Sequence, residues 1–187
     1  MRDVKALFLG TCLSLVSVGA ISAPVVQDIA SAQVFFSPEN SGQKAICEQI
    51  ANAKTNIKVA AFHFSKNPIA DALLKAHHRG VDVAVVLDHS HLYKDRSKPS
   101  NRKPSATLKF LSANGIKVSV DTQHRTMHNK YLVIDGQVVI SGSYNFNDKA
   151  ERKNAENLLV IHSKSLAQQY EANWQIHNAH SQPFNQH

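Results

Sequence analysis

The sequence predicts one α/β domain, a layered α/β/α sandwich on a mixed, largely parallel central sheet. Three observations point there. Apolar runs of strand length alternate with runs of helical periodicity along most of the chain. Val81 to Leu87 is almost continuously apolar, the pattern of a strand buried on both faces. Asp135-Gly136 stands between two apolar runs, the signature of a tight hairpin. The composition agrees. Of 187 residues, 43% are hydrophobic and 19% charged, and 7 Gly with 6 Pro are too few for a fibrous or low-complexity chain.

The elements follow in order. Ala32 to Phe36 reads as a short strand, ended by Ser37-Pro38. Gln43 to Ala53 places Ala45, Ile46 and Ile50 at helical spacing. Asn56 to Phe64 is a strand. Pro68 suits the first position of a helix continued by Ile69, Leu73, Leu74 and Ala76, and Arg79-Gly80 closes it. Val81 to Leu87 is the buried strand. Ala106 to Ala113 is a helix stopped by Asn114-Gly115, and Ile116 to Val120 a strand. Lys130 to Ile134 and Val138 to Ile140 flank the hairpin turn. Asn157 to His162 is the last strand and Ser165 to Asn178 the last helix, with Tyr170, Trp174 and Ile176 expected to dock it. No internal repeat recurs at a long period.

The first 23 residues are set apart. Arg2 and Lys5 precede a mostly apolar stretch from Ala6 to Ala20, followed by small-residue sites ending at Ala20 and Ala23. This is the layout of a secretory signal peptide, with an uncleaved membrane anchor as the alternative. Residues 24–187 then form the domain of an exported protein, periplasmic or secreted, with no stable membrane association after cleavage. Cleavage would remove Cys12 and leave Cys47 alone, so no internal disulfide is expected. Cys47 lies among Ile46, Ile50 and Ala51 and reads as a buried, inert thiol.

Twenty-one Lys and Arg against 14 Asp and Glu give a formal charge of +7. Such an excess favours a polyanionic partner: nucleic acid, anionic lipid or phosphate. Lys94, Arg96, Lys98, Arg102 and Lys103 crowd one loop, beside Tyr93 and Pro104, as a candidate phosphate-backbone rim. Arg125 and His124 are candidates to flank a phosphate.

Chemistry concentrates in residues 128–147. His128 and Lys130 are two apart on strand-like sequence, so their side chains share a face. Asp135 has the opposite parity and sits at the turn. Gly142, Ser143, Asn145 and Asn147 follow the return strand. A nucleophilic imidazole, a fixed cation and neutral donors at one sheet end suit a phosphodiester, whose phosphoryl charge must be neutralised during in-line attack. The spaced set His128-x-Lys130-x4-Asp135, then Gly142-Ser143, resembles the HKD motif of the phospholipase D superfamily. Glu156, in Asn154-Ala155-Glu156-Asn157, resembles the acidic residue that follows the motif in small bacterial endonucleases of that superfamily. Ala60 to Ser65 and Ala76 to Val83 are similar to further family segments.

The resemblance implies a phospholipase D-like fold and a role for each matched residue. His128 is the nucleophile, forming a covalent phosphohistidine. Lys130 and Asn145 hold the phosphoryl oxygens, and Ser143 supports the network. Glu156 accepts a hydrogen bond from the second imidazole nitrogen of His128. Asp135 is structural. Family enzymes use two such motifs, one histidine attacking and the other protonating the leaving oxygen, and need no divalent metal. This chain has one motif, so the resemblance implies a homodimer with a shared site, His124 or His162 being the alternative acid within one chain.

No cofactor is expected and no three-ligand metal cluster is evident. Asp88-His89-Ser90-His91 reads as polar surface, and His124 and His128 do not form a helical pair. His77 and His78 end a helix, and Ser41-x-x-Lys44 matches a nucleophile motif by chance. The expected activity is metal-independent endonucleolytic cleavage of DNA or RNA. A lipid head-group hydrolase and a non-catalytic nucleic-acid-binding protein are the alternatives.

Overall fold

Eight strands join in a single sheet in the order β1-β7-β6-β5-β2-β3-β4-β8. The computed structural model describes residues 25–38, 41–93, 100 and 102–185. The expected signal peptide, residues 1–23, and Lys94, Arg96 and Lys98 lie outside the described residues. The strands are β1 (Ser31–Ser37), β2 (Asn56–Ala61), β3 (Asp82–Asp88), β4 (Lys117–Asp121), β5 (Lys130–Ile134), β6 (Val138–Gly142), β7 (Glu156–His162) and β8 (Gln182–Pro183). The helices are α1 (Gly42–Asn52), α2 (Pro68–His78), α3 (Ala106–Ala113), α4 (Asp148–Arg152) and α5 (Lys164–His180).

The three layers follow from the side-chain period of a strand. All five residues of β5 are buried. Leu132 and Ile134 point to a core shared with Ile46 and Ile50 of α1, Leu73 of α2 and Leu108 of α3. Tyr131 and Val133 point the other way, to Ala167 and Trp174 of α5. Each fully buried Leu or Ile contributes ~2 kcal/mol of transfer free energy. The Trp174 indole N–H donates to the Val59 carbonyl at 2.9 Å, which fixes α5 against β2. Tyr170 packs against Tyr131 with ring centroids 4.9 Å apart. Ile176, expected to help dock this helix, is 63% exposed and does not.

Helix starts are set by side-chain caps. Ser41 accepts from the Lys44 amide at 3.1 Å, so the Ser-x-x-Lys spacing is that of a capped helix. Asn67, Ser105 and Ser163 cap α2, α3 and α5. Arg79 ends α2, and Gly80 follows at φ +90°. Cys47 is half-buried, and burial pushes its thiol pKa up, as an inert thiol requires.

The sheet is mixed, but its parallel share is smaller than the sequence suggests. Only β2–β3 and β3–β4 are parallel. After β4 the chain returns through the β5–β6 hairpin and then β7, and β1 and β8 add antiparallel edges. The hairpin turn is as expected, with Asp135 and Gly136 at φ 53° and 62°. Two elements escape the sequence pattern. The five residues of α4 bury only Ala150, and β8 has two residues, too few for either to show a period.

Asp88 and His91 are not polar surface. Asp88 is fully buried and accepts from the Ser90 amide at 2.9 Å and the Met127 amide at 2.8 Å. His91 is 6% exposed, its Nε2 lies 3.1 Å from the Phe62 carbonyl and 3.3 Å from the Phe64 amide, and its Nδ1 lies 2.8 Å from Ser105 Oγ. Such groups are buried because each polar atom finds a partner. Burial lowers the His91 pKa from 6.5 to about 4. Protonation therefore favours the unfolded chain, so the stabilisation is complete above pH 6.5 and is lost as pH falls towards 4. Lowering the pH from 7 to 4.5 should cost ~2 kcal/mol through this residue. A His91→Gln variant, weaker at neutral pH, should show a shallower loss in denaturant titrations at the two pH values. An equal pH slope in both proteins would remove His91 as the cause.

Gly142 ends β6 at φ +154°, and a Cβ there would lie 2.2 Å from the Asn157 carbonyl oxygen. That contact is with backbone of the paired strand and cannot be relieved by a rotamer. Gly142→Ala should destabilise the fold by ~3 kcal/mol or more. Urea unfolding would test this, with Gly136→Ala as a comparison in which no atom lies within 4 Å of the added carbon.

Candidate active site

Lys130 is the first residue of β5, between β2 and β6, and its neighbours are fixed by register. Ala61 is its partner on β2, and the Phe62 amide donates to the Asn129 carbonyl at 2.9 Å just beyond. On the other side Tyr131 pairs with Ser141, so the same register leads Gly142 past Lys130 and Ser143 past Asn129. The chain then crosses the end of β5. The Phe146 amide donates to the His63 carbonyl and the Ser65 amide to the Phe146 carbonyl, both at 3.0 Å. Asn145 is carried over the strand end by this crossing.

The lysine is 8% exposed, whereas His128 is exposed. The ammonium donates to the His128 carbonyl at 2.8 Å and lies 3.1 Å and 3.3 Å from the Nδ1 and Nε2 of its ring. It also stands 5.2 Å from the Phe62 ring centroid, and Phe62 packs on the His128 ring at 4.5 Å. Burial lowers the Lys130 pKa, and the charge of Glu156 opposes that shift. The result is a held cation against one imidazole at an open surface. Asn145 Oδ1 is buried without a partner, so this amide has hydrogen-bonding capacity unused by the protein.

Glu156 departs from expectation. Its carboxylate accepts from Ser143 Oγ at 2.5 Å and from Asn154 Nδ2 at 2.9 Å, and not from His128. The cause is register: Gly142 pairs with Leu158, which brings Ser143 against the start of β7. The Asn157 amide in turn donates to Ser143 Oγ at 3.1 Å. Ser143 thus bonds to the start of β7, while Glu156 acts on Lys130 through its charge.

Asp135 is at the other end of β5, roughly 17 Å from Lys130 at the rise of a strand. Its Oδ1 accepts from the amides of Thr55 at 2.8 Å and Asn56 at 3.1 Å, and Oδ2 from the amide of Lys54 at 2.9 Å. It latches the α1–β2 connection to the hairpin, a structural role as expected. Arg102 and Lys103 are exposed, and Arg102 stands over the Phe184 ring at 5.7 Å, with Tyr93 bridging to Arg102 across the loop base. Arg125 is exposed, three residues before His128.

Of the two alternative acids, one lies at the far sheet end and the other is held by a buried carboxylate. His162 pairs with Val138 at the far end of β6 from Gly142. His124 donates to Asp121 at 2.8 Å. Sequence reasoning missed His63, whose ring packs 3.8 Å from Phe62, the ring that also touches His128. Burial lowers its pKa, and the charges of Lys130 and His128 add to that. The repeated Phe62-His63-Phe64 alternation was the available signal. Sequence reasoning also found no metal cluster, yet Asp121, His124, His177 and His180 converge at the ends of β4 and α5. The ligand-type residues fall in two i, i+3 pairs on separate elements, which no local pattern connects.

A family model described as cardiolipin synthase, PLD-like domain, matches residues 46–177. A phospholipase D of Rickettsia prowazekii (strain Madrid E) is 37% identical over 139 residues, 74% of this chain and 63% of that protein. The chain thus spans less than two thirds of that relative. A mitochondrial cardiolipin hydrolase of Xenopus laevis is 27% identical over 148 residues, 79% of this chain and 66% of that protein. Among solved structures, the phospholipase D family member Nuc from Salmonella typhimurium superposes with a TM-score of 0.73 at 31% identity, covering 83% of this chain and 99% of that one. With the fold, the spaced motif and the family match in agreement, this chain belongs to the phospholipase D-like family.

Proposed function

We propose that the chain is an exported, metal-independent phosphodiesterase whose substrate is nucleic acid. The observation that carries this reading is the buried Lys130 ammonium against the exposed His128 ring, with the Asn145 amide oxygen buried and unpartnered on the segment that crosses the end of β5. An imidazole nitrogen of His128 attacks phosphorus and forms a P–N bond as the P–O bond to the leaving group breaks. Lys130 and Asn145 offset charge on the non-bridging oxygens, so the cation at the phosphate is a side chain. The leaving oxygen takes a proton from an acid. Water then attacks phosphorus as the P–N bond breaks, its proton returning to the group that acted as acid, which releases the phosphate monoester and restores His128.

Nucleic acid is supported by the +7 charge and by the basic run of Lys94, Arg96, Lys98, Arg102 and Lys103. The names of the rickettsial and frog relatives favour a lipid head group as the second reading. Incubating purified chain with plasmid, single-stranded DNA, RNA, phosphatidylcholine and cardiolipin separates the two. Cleavage of nucleic acid is expected, falling ~10³-fold or more in a folded His128→Ala variant. Cleavage of lipid alone would replace the substrate, and unchanged turnover by His128→Ala would remove the nucleophile.

The acid is proposed to be His128 of a second copy. One His-x-Lys-x4-Asp motif per chain supports this, as does an apolar strip of Val34, Phe36 and Leu159 exposed on the outer β1–β7 pair, which ends beside Glu156. A two-fold dimer would face two His128 side chains across one phosphate. Dimers of one wild-type and one His128→Ala chain should then lose nearly all activity. About half the wild-type activity in such mixed dimers would instead place the acid within one chain, with His63 the residue in position.

A further inference from the structure

Three imidazoles meet at one carboxylate oxygen. Asp121, the last residue of β4, is fully buried. Its Oδ2 is 2.8 Å from His124 Nδ1, 3.1 Å from His177 Nδ1 and 3.2 Å from His180 Nε2. The four ligand-type atoms lie within 4.8 Å of one another. His177 and His180 are one turn apart on α5, and His124 is in the connection that leads to His128. We infer that Asp121, His124, His177 and His180 form a divalent metal site, selective for a zinc-like ion, that clamps the end of α5 to the segment carrying the nucleophile.

The chemistry of the donor set supports this. Three imidazoles and one carboxylate are the ligand types that zinc takes in a tetrahedral shell, at about 2.0–2.2 Å. Bonds of that length put neighbouring ligand atoms ~3.3 Å apart, so the carboxylate-to-imidazole spacings need open by only a few tenths of an ångström. The wider imidazole pairs must close, and His124, whose side chain is 45% exposed, has room to move. One carboxylate oxygen is a poor terminus for three N–H donors. A cation at the same focus takes three nitrogen lone pairs instead.

The surroundings are those of a ligand shell. Asp121 Oδ1 is held by the amides of Gln123 at 3.0 Å and His124 at 3.1 Å, so the carboxylate is oriented independently of the histidines. The second ring nitrogen of His177 lies 3.1 Å from Asn129 Nδ2, and with a metal on Nδ1 it would donate to this amide turned to present its Oδ1. Such outer partners fix ring orientation around a metal. Asn129 is next to His128, and its carbonyl anchors Phe62. The site is therefore joined to the nucleophile by one residue, without facing the phosphate.

Metal analysis of the untagged chain, purified and dialysed, tests the inference directly. About one zinc per chain is expected, and cobalt substitution should give the visible absorption of a tetrahedral ion. Chelation should lower Tm by ~5 °C or more, reversed by added zinc. A His177→Ala/His180→Gln variant should retain no zinc and show a Tm indifferent to it, whereas His77→Ala/His78→Ala, outside the cluster, should behave as wild type. Zinc that dialyses away from the wild-type chain, or is held equally by the cluster variant, would overturn the site. So would a Tm unmoved by chelation. These readouts do not depend on phosphodiester cleavage, so the site and the proposed activity fail separately.

Discussion

A cation buried at the end of a central strand sets the terms for everything around it. In the proposed reaction Lys130 offsets phosphoryl charge, yet a strand buried on both faces is a costly place for an ammonium. The protein keeps it charged with a carbonyl, an imidazole, an aromatic face and the charge of Glu156. They come from three places: His128 just before β5 gives the carbonyl and the imidazole, Phe62 just after β2 the aromatic face, and Glu156 begins β7. The sheet order that brings β2, β5, β6 and β7 side by side is therefore also the order that assembles the site.

Two buried carboxylates perform the matching task for the loop that ends at His128. Asp88 and Asp121 are register partners at the ends of β3 and β4. Asp88 holds the Met127 amide, and Asp121 the amides of Gln123 and His124. The connection from β4 to β5 is thus tied at both ends to strand termini. A nucleophile on such a loop is positioned by backbone hydrogen bonds and does not rely on its own exposed side chain for order.

How legible this was depends on the distance over which each constraint acts. The His128–Lys130 pair, the Asp135-Gly136 turn and the α2 cap are local, and their residue types announce them. The extent of β2 was overestimated, because Phe62 to Phe64 keep strand-like composition while bonding to Asn129 and Phe146 outside the ladder. The partner of Glu156 depended on the β6–β7 register, which one residue of slip would change. The largely parallel sheet was overestimated for a similar reason: periodicity marks a buried strand but not its direction. The histidines around Asp121 come together only once α5 has packed across the sheet.

The Asp135 latch shows that the motif is not one functional unit. Its His and Lys stand at the candidate site at one end of β5, while its Asp ties a connection at the other, and Gly142 only lets two backbones approach. The letters are therefore under separate selective pressures. A descendant could lose His128 and chemistry with it, yet retain Asp135 and Gly142 because folding still demands them. Such a chain would carry much of the signature and be inert, so the part of the motif that best marks ancestry is the part that says least about catalysis.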